Sequence, residues 1–301
     1  MQSINQLVEL PLFKEKQITL VIKREDLLHP FISGNKFRKL KYNILEAQKE
    51  RNHTLLTFGG AYSNHIAAMA YAANQRGLKS IGIIRGEELE NSWHKNATLQ
   101  KAHDDGMRFK FINRGDYRQK GNLKFIEQLR NEFGEFYMVP EGGTNSLAIK
   151  GCEEILTEKD EDFDFICSSV GTGGTVSGLI NASFLHQHVI GFSALKEDFL
   201  KADIEKSVNN ERWQLNTEFH FGGYAKISEE LVCFINEFKE KTAIPLDPIY
   251  TGKMMFGLFH MAKHDIFEPK TKILAIHTGG LQGIAGMNGV LKKKNLPLLD
   301  I

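Results

Sequence analysis

Phe165-Ile166-Cys167-Ser168-Ser169-Val170-Gly171-Thr172-Gly173-Gly174-Thr175-Val176 runs from a short apolar segment through five small residues into a helix-period pattern. The first part has strand length, and residues 176–185 continue with helical spacing, so the stretch reads as strand, glycine turn, helix. The same rhythm extends in both directions. Residues 54–58 form a strand candidate, Gly59-Gly60 turns the chain, and residues 64–76 read as a helix closed by Gly77. Residues 80–84, 107–112 and 136–139 are further strands, and residues 92–102 and 121–133 are helices. Toward the C-terminus, residues 254–263 read as a helix and 272–277 as a strand. Alternation of this kind predicts an α/β chain with mostly parallel sheets covered by helices.

The 301 residues allow about two domains. A formal charge of +1 gives no electrostatic case for nucleic acid or an anionic membrane. No apolar stretch is long enough to span a bilayer, and the first residues lack the pattern of a secretory signal. Cys152, Cys167 and Cys233 are far apart with no CxxC spacing, which argues against a metal site and for a reducing, cytoplasmic setting. The Lys292-Lys293-Lys294 run reads as solvated surface.

The glycine turn has a specific chemical reading. Glycines let backbone N–H groups converge on an anion, the helix start adds positive potential, and Thr172 and Thr175 offer hydroxyls. A dinucleotide fingerprint needs glycine where Val176 stands, and a nucleoside-triphosphate loop needs Gly-Lys-Ser/Thr, which is absent. A tight turn without a ligand remains the alternative. Lys36 lies in Gly34-Asn35-Lys36-Phe37-Arg38-Lys39-Leu40, at the front of a helical stripe formed by Phe37, Leu40, Ile44 and Leu45, with Asn35 near the cap. A first-turn cation is disfavoured by the helix dipole, and burial lowers an amine's pKa. Both effects favour a neutral nucleophilic amine. On spacing alone, an exposed lysine beside Arg38, Lys39 and Lys41 is the commoner reading.

Gly59-Gly60-Ala61-Tyr62-Ser63-Asn64-His65 is a second glycine turn opening a helix. Ser63 suits the N-cap, and Ser63, Asn64 and His65 also suit a carboxylate or ring hydroxyl. Glu141-Gly142-Gly143-Thr144 is a third such turn, adding Gly143 and Thr144 as candidate substrate contacts. Tyr224 and Tyr250 each sit at a turn, where packed tyrosines are commoner than catalytic ones. His277-Thr278-Gly279-Gly280 follows a strand, where doubly wound sheets place ligand contacts. Together these motifs read as a covalent pyridoxal-phosphate site: Lys36 for the aldehyde, the glycine loop for the phosphate and Thr278 as a neutral partner for the ring nitrogen.

This ordered set, completed by Tyr250-Thr251-Gly252-Lys253, resembles the D-cysteine desulfhydrase and 1-aminocyclopropane-1-carboxylate deaminase family. That family belongs to the tryptophan synthase β-like, fold-type II pyridoxal-phosphate enzymes. The resemblance implies two three-layer α/β/α domains: a large one from residues 1–49 and 146–301, and a smaller inserted one from 50–145. It implies Lys36 as the Schiff-base lysine and Gly171, Thr172, Gly173, Gly174 and Thr175 as the phosphate loop. Asn64 matches the residue at the ring hydroxyl, Ser63 one beside the substrate carboxylate and Cα, and Tyr224 and Tyr250 two active-site tyrosines. A homodimer is the family's usual assembly.

Ring-opening members carry Tyr-Glu-Gly-Lys and an apolar residue at the position of Thr278. The pair Thr251 and Thr278 resembles the D-cysteine desulfhydrase branch instead. A hydroxyl leaves the cofactor a weaker electron sink than a carboxylate does. That suits α,β-elimination from a small amino acid with a good β leaving group, giving a 2-oxo acid and ammonia. In this scheme Lys36 takes the Cα proton, Ser63 is its partner or the alternative base, and Tyr250 or Tyr224 protonates the leaving group. Tyr62 departs from the family's usual glutamine and predicts an altered substrate pocket. The competing readings are cyclopropane deamination, a serine/threonine dehydratase or cysteine-synthase-like enzyme, and a non-catalytic binder of cofactor or amino acid.

Overall fold

The computed structural model describes residues 2–32, 34–196 and 199–300. Its strands are β1 (Asn5–Leu7), β2 (Thr19–Lys23), β3 (Thr54–Gly60), β4 (Lys79–Arg85), β5 (Met107–Ile112), β6 (Tyr137–Val139), β7 (Phe165–Val170), β8 (His188–Ser193), β9 (Trp213–Asn216) and β10 (Lys272–Ile276). They form two sheets. One has the order β1-β2-β10-β7-β8-β9, parallel except for the antiparallel β1–β2 pair. The other, β5-β4-β3-β6, is parallel throughout.

Side-chain alternation explains the layers. In β10, Ile273 and Ala275 join one apolar cluster, whereas Leu274 and Ile276 join another on the opposite face. β7 and β8 divide likewise, with Cys167 and Ile190 on one side and Ile166 and Val189 on the other. In the second sheet Leu55 and Ile84 face one cluster and Leu56 and Ile83 the other. Strands buried on both faces read as continuous apolar runs, and helices cover each face, so each sheet is the middle of three layers. Leu40, Ile44 and Ala47 of the Asn35–Lys49 helix pack into the core of the four-stranded sheet.

Several element ends differ from the sequence expectation, each for a local reason. The helix expected over 92–102 starts at Ala97, because the Asn96 side chain accepts from Thr98 and Leu99 N–H and caps it there. The helix after the glycine turn is Gly174–Ala182, so the last glycine is already its first turn. Asn35 is the first helical residue and Gly34 the cap, at φ +61°. A Cβ at Gly34 would lie 1.9 Å from the Thr278 carbonyl oxygen, so glycine is required there. Among the described residues no helix is long and apolar enough to cross a membrane.

Candidate active site

Four strand ends supply the site: β7 and β10 from the larger sheet, and β3 and β6 from the smaller. All four loops leave the C-terminal ends of parallel strands, where open α/β sheets leave room for a ligand. The Asn35–Lys49 helix ties them together. Asn35 N–H donates to Thr278 O (3.3 Å) and Asn35 Nδ2 to Thr175 Oγ1 (2.7 Å). Arg38, buried in the same first turns, donates to both oxygens of Glu25 at 3.0 Å each. That buried, bidentate pair fixes where the helix begins.

Lys36 Nζ donates to Gly142 O at 3.3 Å. Lys39, one turn on, donates to the same carbonyl at 3.2 Å and to Thr144 Oγ1 at 3.0 Å, and reaches Thr172 Oγ1 at 3.5 Å. The residue Lys36 is half-buried by area, but its amine lies inside the crevice. Burial first, and then the charge of Lys39, hold the Lys36 amine well below the ordinary lysine range. Burial also lowers Lys39. The two amines differ in their surroundings. Lys39 is held by several oxygens and acts as a fixed cation. Lys36 has one long contact and is the readier nucleophile.

The Gly171–Thr175 turn lies opposite. Gly173 (φ +82°) precedes a helix whose first N–H groups have no partner within it, and no side chain caps them. A Cβ on Gly174 would sit 3.3 Å from Lys39 Nζ and 2.9 Å from Thr144 Oγ1. The glycine therefore keeps open a space bounded by backbone N–H groups, two threonines and a buried ammonium. Such a donor set matches a phosphate. The Thr144 and Thr172 hydroxyls are hydrogen-bonded to each other at 2.5 Å. Sequence reasoning missed Lys39; its signal was its position three residues from Lys36, which places both on one helix face.

The remaining expected residues line the same crevice. Thr278, buried after β10, has its hydroxyl 3.2 Å from Ser169 Oγ at the end of β7. Asn64 Oδ1 is buried without a partner, and its Nδ2 lies 3.0 Å from the place a Cβ on Gly280 would take. His65 is buried. Because Thr57 Oγ1 donates to Val139 O (2.7 Å), the His65 Nε2–H donates to Thr57 Oγ1 (2.9 Å). That leaves His65 Nδ1 as a lone-pair acceptor without a partner, beside Gly143 and near Lys39. Burial, then Lys36 and Lys39, keep this imidazole neutral by lowering its pKa well below the usual histidine value. Two orphaned buried acceptors, Asn64 Oδ1 and His65 Nδ1, are what a bound group with N–H or O–H donors would satisfy.

Ser63 caps the Asn64–Gln75 helix by accepting from Ile66 N–H at 3.3 Å, so its proton is free to donate elsewhere. The Tyr250 ring edge packs on Gly171, and Tyr224 crosses it with ring centroids 6.2 Å apart. Burial holds the Tyr250 phenol well above the ordinary tyrosine range, and partial burial raises that of Tyr224, a residue 45% exposed. Tyr62 is half-exposed and lays its ring on Gly286 of the Gly283–Lys293 helix, where a Cβ would come within 2.6 Å.

Thr251 does not join Thr278. Its hydroxyl donates to Asp247 Oδ2 (2.7 Å) and accepts from Asp247 N–H (2.9 Å). The Asp247 carboxylate also accepts from the N–H groups of Ile249, Tyr250 and Thr251. Asp247 is thus consumed in capping the Thr251–Lys263 helix, and the hydroxyl left facing the crevice at this end is Thr278.

Comparison with known proteins agrees with this geometry. The family model described as "Pyridoxal-phosphate dependent enzyme" matches residues 3–279. A putative 1-aminocyclopropane-1-carboxylate deaminase of Thermotoga maritima is 32% identical over 88% of this chain and 89% of its own length. The bifunctional mitochondrial D-cysteine desulfhydrase/1-aminocyclopropane-1-carboxylate deaminase of Arabidopsis thaliana is also 32% identical, over 88% and 73%. The D-cysteine desulfhydrase of Serratia proteamaculans is 25% identical over 87% and 86%. A solved structure titled as an ACC deaminase homologue superposes with a TM-score of 0.82 at 29% identity, covering 97% of this chain and 94% of that one. The chain belongs to the pyridoxal-phosphate dependent enzymes, within the D-cysteine desulfhydrase and 1-aminocyclopropane-1-carboxylate deaminase family.

Proposed function

We propose that the chain deaminates a small amino acid by α,β-elimination, in the manner of a D-cysteine desulfhydrase. The observation that carries this reading is the all-hydroxyl setting at Thr278 and Ser169, with the Asp247 carboxylate already occupied by four donors. Bound pyridoxal phosphate supplies an electron sink for the bond breaking at Cα. The Gly171–Thr175 backbone, Thr172, Thr144 and the Lys39 ammonium would hold its phosphate. Thr278 would face its ring nitrogen and Asn64 its ring hydroxyl.

Lys36 would hold the cofactor, and its Nζ, when free, would accept the proton from the substrate Cα. Burial, and then the charge of Lys39, lower its pKa and so enlarge the unprotonated share that can act as a base. Ser63, with its hydroxyl proton free, assists that transfer. Asn64 Nδ2 and the Thr144 hydroxyl receive the substrate carboxylate, whereas His65 Nδ1, a lone-pair acceptor, takes an N–H or O–H donor of the bound ligand. Tyr250, kept protonated by burial, donates to the departing β group, with Tyr224 as its neighbour.

A second reading, cyclopropane ring opening on the same scaffold, is favoured by the names of several relatives. One experiment separates the two. The cofactor-loaded protein is titrated with D- and L-cysteine, D- and L-serine and 1-aminocyclopropane-1-carboxylate while its visible absorbance and the 2-oxo acid are followed. Pyruvate from a β-substituted amino acid supports elimination; 2-oxobutyrate from the cyclopropane, with no pyruvate from the others, refutes it. Lys36→Ala abolishes both the covalent absorbance band and turnover; retained turnover removes Lys36 from the scheme. We further place the enzyme in the cytoplasm as a homodimer, supported by three unbonded cysteines and by the family's usual assembly. We also read the two sheets as two domains, with the chain crossing between them near residues 50 and 145.

A further inference from the structure

We infer that Lys253 is a positioning residue that tethers the tyrosine-bearing loop over the site. The inference rests on the proposed role of Tyr224 and Tyr250. Lys253 is almost fully buried, in the first turn of the Thr251–Lys263 helix, three residues after Tyr250. A cation there opposes the helix dipole, and burying it costs hydration. No carboxylate pairs with its Nζ within salt-bridge distance among the described residues; its partners are two carbonyls. Nζ donates to His220 O and to Gly223 O, each at 2.8 Å.

Those two carbonyls are the acceptors of two consecutive turns. His220 O also accepts from Gly223 N–H (3.0 Å), and Gly223 O from Lys226 N–H (3.1 Å). Tyr224 sits inside the second turn. The segment is conformationally costly, with φ of +53° at Phe221, +92° at Gly222, +109° at Gly223 and +55° at Ala225. Left-handed backbone at the two non-glycine positions is disfavoured and needs outside support. One ammonium joining both turns supplies it. The same helix start thus presents Tyr250 and, through Lys253, fixes Tyr224 across it at 6.2 Å. Lys253 touches neither substrate nor cofactor in this scheme and acts through the loop.

The test is a double-mutant cycle on the full-length, cofactor-loaded enzyme, comparing Lys253→Met, Tyr224→Phe and the double variant. Each single change is expected to lower kcat by about 10- to 100-fold, at or below the roughly 10²–10⁴-fold that a proton donor itself supplies, because Tyr224 flanks the donor Tyr250 and does not replace it. KM moves little, and the visible absorbance of bound cofactor stays unchanged. The double variant is expected to be no slower than Tyr224→Phe alone, because the two residues act as one unit. Losses that multiply, or a Lys253→Met enzyme with full kcat, overturn the tether. Tyr224→Phe with full kcat overturns the role given to the tyrosine, and the inference with it. Should Lys253→Met fail to fold, Gly223→Ala is read in its place, since it strains the φ +109° turn while leaving Lys253 intact. The same loss of kcat is then expected, and an unchanged kcat overturns the inference.

Discussion

Lys39→Met replaces the cation of the proposed phosphate cup with an apolar side chain of similar length. In the wild type Lys39 is bound to Gly142 O and Thr144 Oγ1 and reaches Thr172 Oγ1, facing the turn that begins the Gly174–Ala182 helix. A hydrogen bond from a charged donor contributes about 1.5–3 kcal/mol. At 1.4 kcal/mol per tenfold, the dissociation constant for pyridoxal phosphate should rise about 10- to 150-fold. The assay is a titration of cofactor-stripped protein with pyridoxal phosphate, read by visible absorbance. Melting of the stripped protein supplies the control. Burial lowers the Lys39 pKa, so its charge costs the empty fold stability, and the variant should melt no lower than the wild type. A second readout follows from the coupling of the two amines. The Lys39 charge is the second cause of the lowered Lys36 pKa, so without it the Lys36 pKa rises. The acidic limb of the cofactor-capture rate then moves to higher pH. An unchanged dissociation constant together with an unmoved limb would show that Lys39 faces neither phosphate nor Lys36, and the assignment of the cup would fail.

Two further outcomes test the frame. Gly34→Ala puts a methyl 1.9 Å from the Thr278 carbonyl oxygen on backbone at φ +61°, ψ −139°, and should cost at least about 3 kcal/mol in urea unfolding; a loss below 1 kcal/mol would mean the helix start is not seated on the Thr278 loop. The stability of cofactor-free protein should rise between pH about 8 and 9, before the buried thiols of Cys152 and Cys167, whose pKa values burial raises, begin to oppose the trend. Burial lowers Lys253 to about 8 and lowers Lys36 and Lys39 as well, so unfolded lysines near 10.5 bind more protons than folded ones in that window. Above pH 10 the raised Tyr224 and Tyr250 reverse the trend, because the unfolded phenols ionise first. A melting temperature that stays flat or falls from pH about 8 to 9 contradicts the buried placement of these amines.

The sequence signals that worked were those with a steep physical cause. β7 and β10 are buried on both faces, so their apolar runs stand out, and the glycine turns after them mark positions where a Cβ would collide. Weaker elements left weaker traces. β1 has three residues on an edge, with Asn5 and Leu7 exposed and only Gln6 half-buried, and β9 has four, none of them fully buried. Neither offers an apolar alternation long enough to read. The Asn96 cap that shortens its helix follows a rule visible in sequence, yet Ser92 satisfies the same rule four residues earlier. Only packing decides between them.

The site was legible in its main-chain parts and much less so in its polar partnerships. Lys36, the Gly171–Thr175 turn, Asn64 and Thr278 each stand at a strand end or helix start, where local sequence already restricts what the backbone does. Lys39 and Asp247 acquire their roles through space, from residues more than 100 positions away or from the loop that precedes a helix. Nothing in Lys39-Leu40-Lys41 separates the buried lysine from the exposed one two residues on. Asp247 alters the chemistry more than its obscurity suggests. By accepting the Thr251 hydroxyl it occupies one of two hydroxyls that the motif alone offers to the ring nitrogen, and three N–H groups fill its remaining acceptor positions. In the proposed arrangement the ring-nitrogen end is left with Thr278, backed by Ser169, and a neutral hydroxyl there would limit how much negative charge the cofactor draws from Cα. A good β leaving group relieves that charge as it forms, whereas a strained carbon ring needs the sink to hold it, so the hydrogen bonding of Asp247 bears directly on which substrate the enzyme turns over.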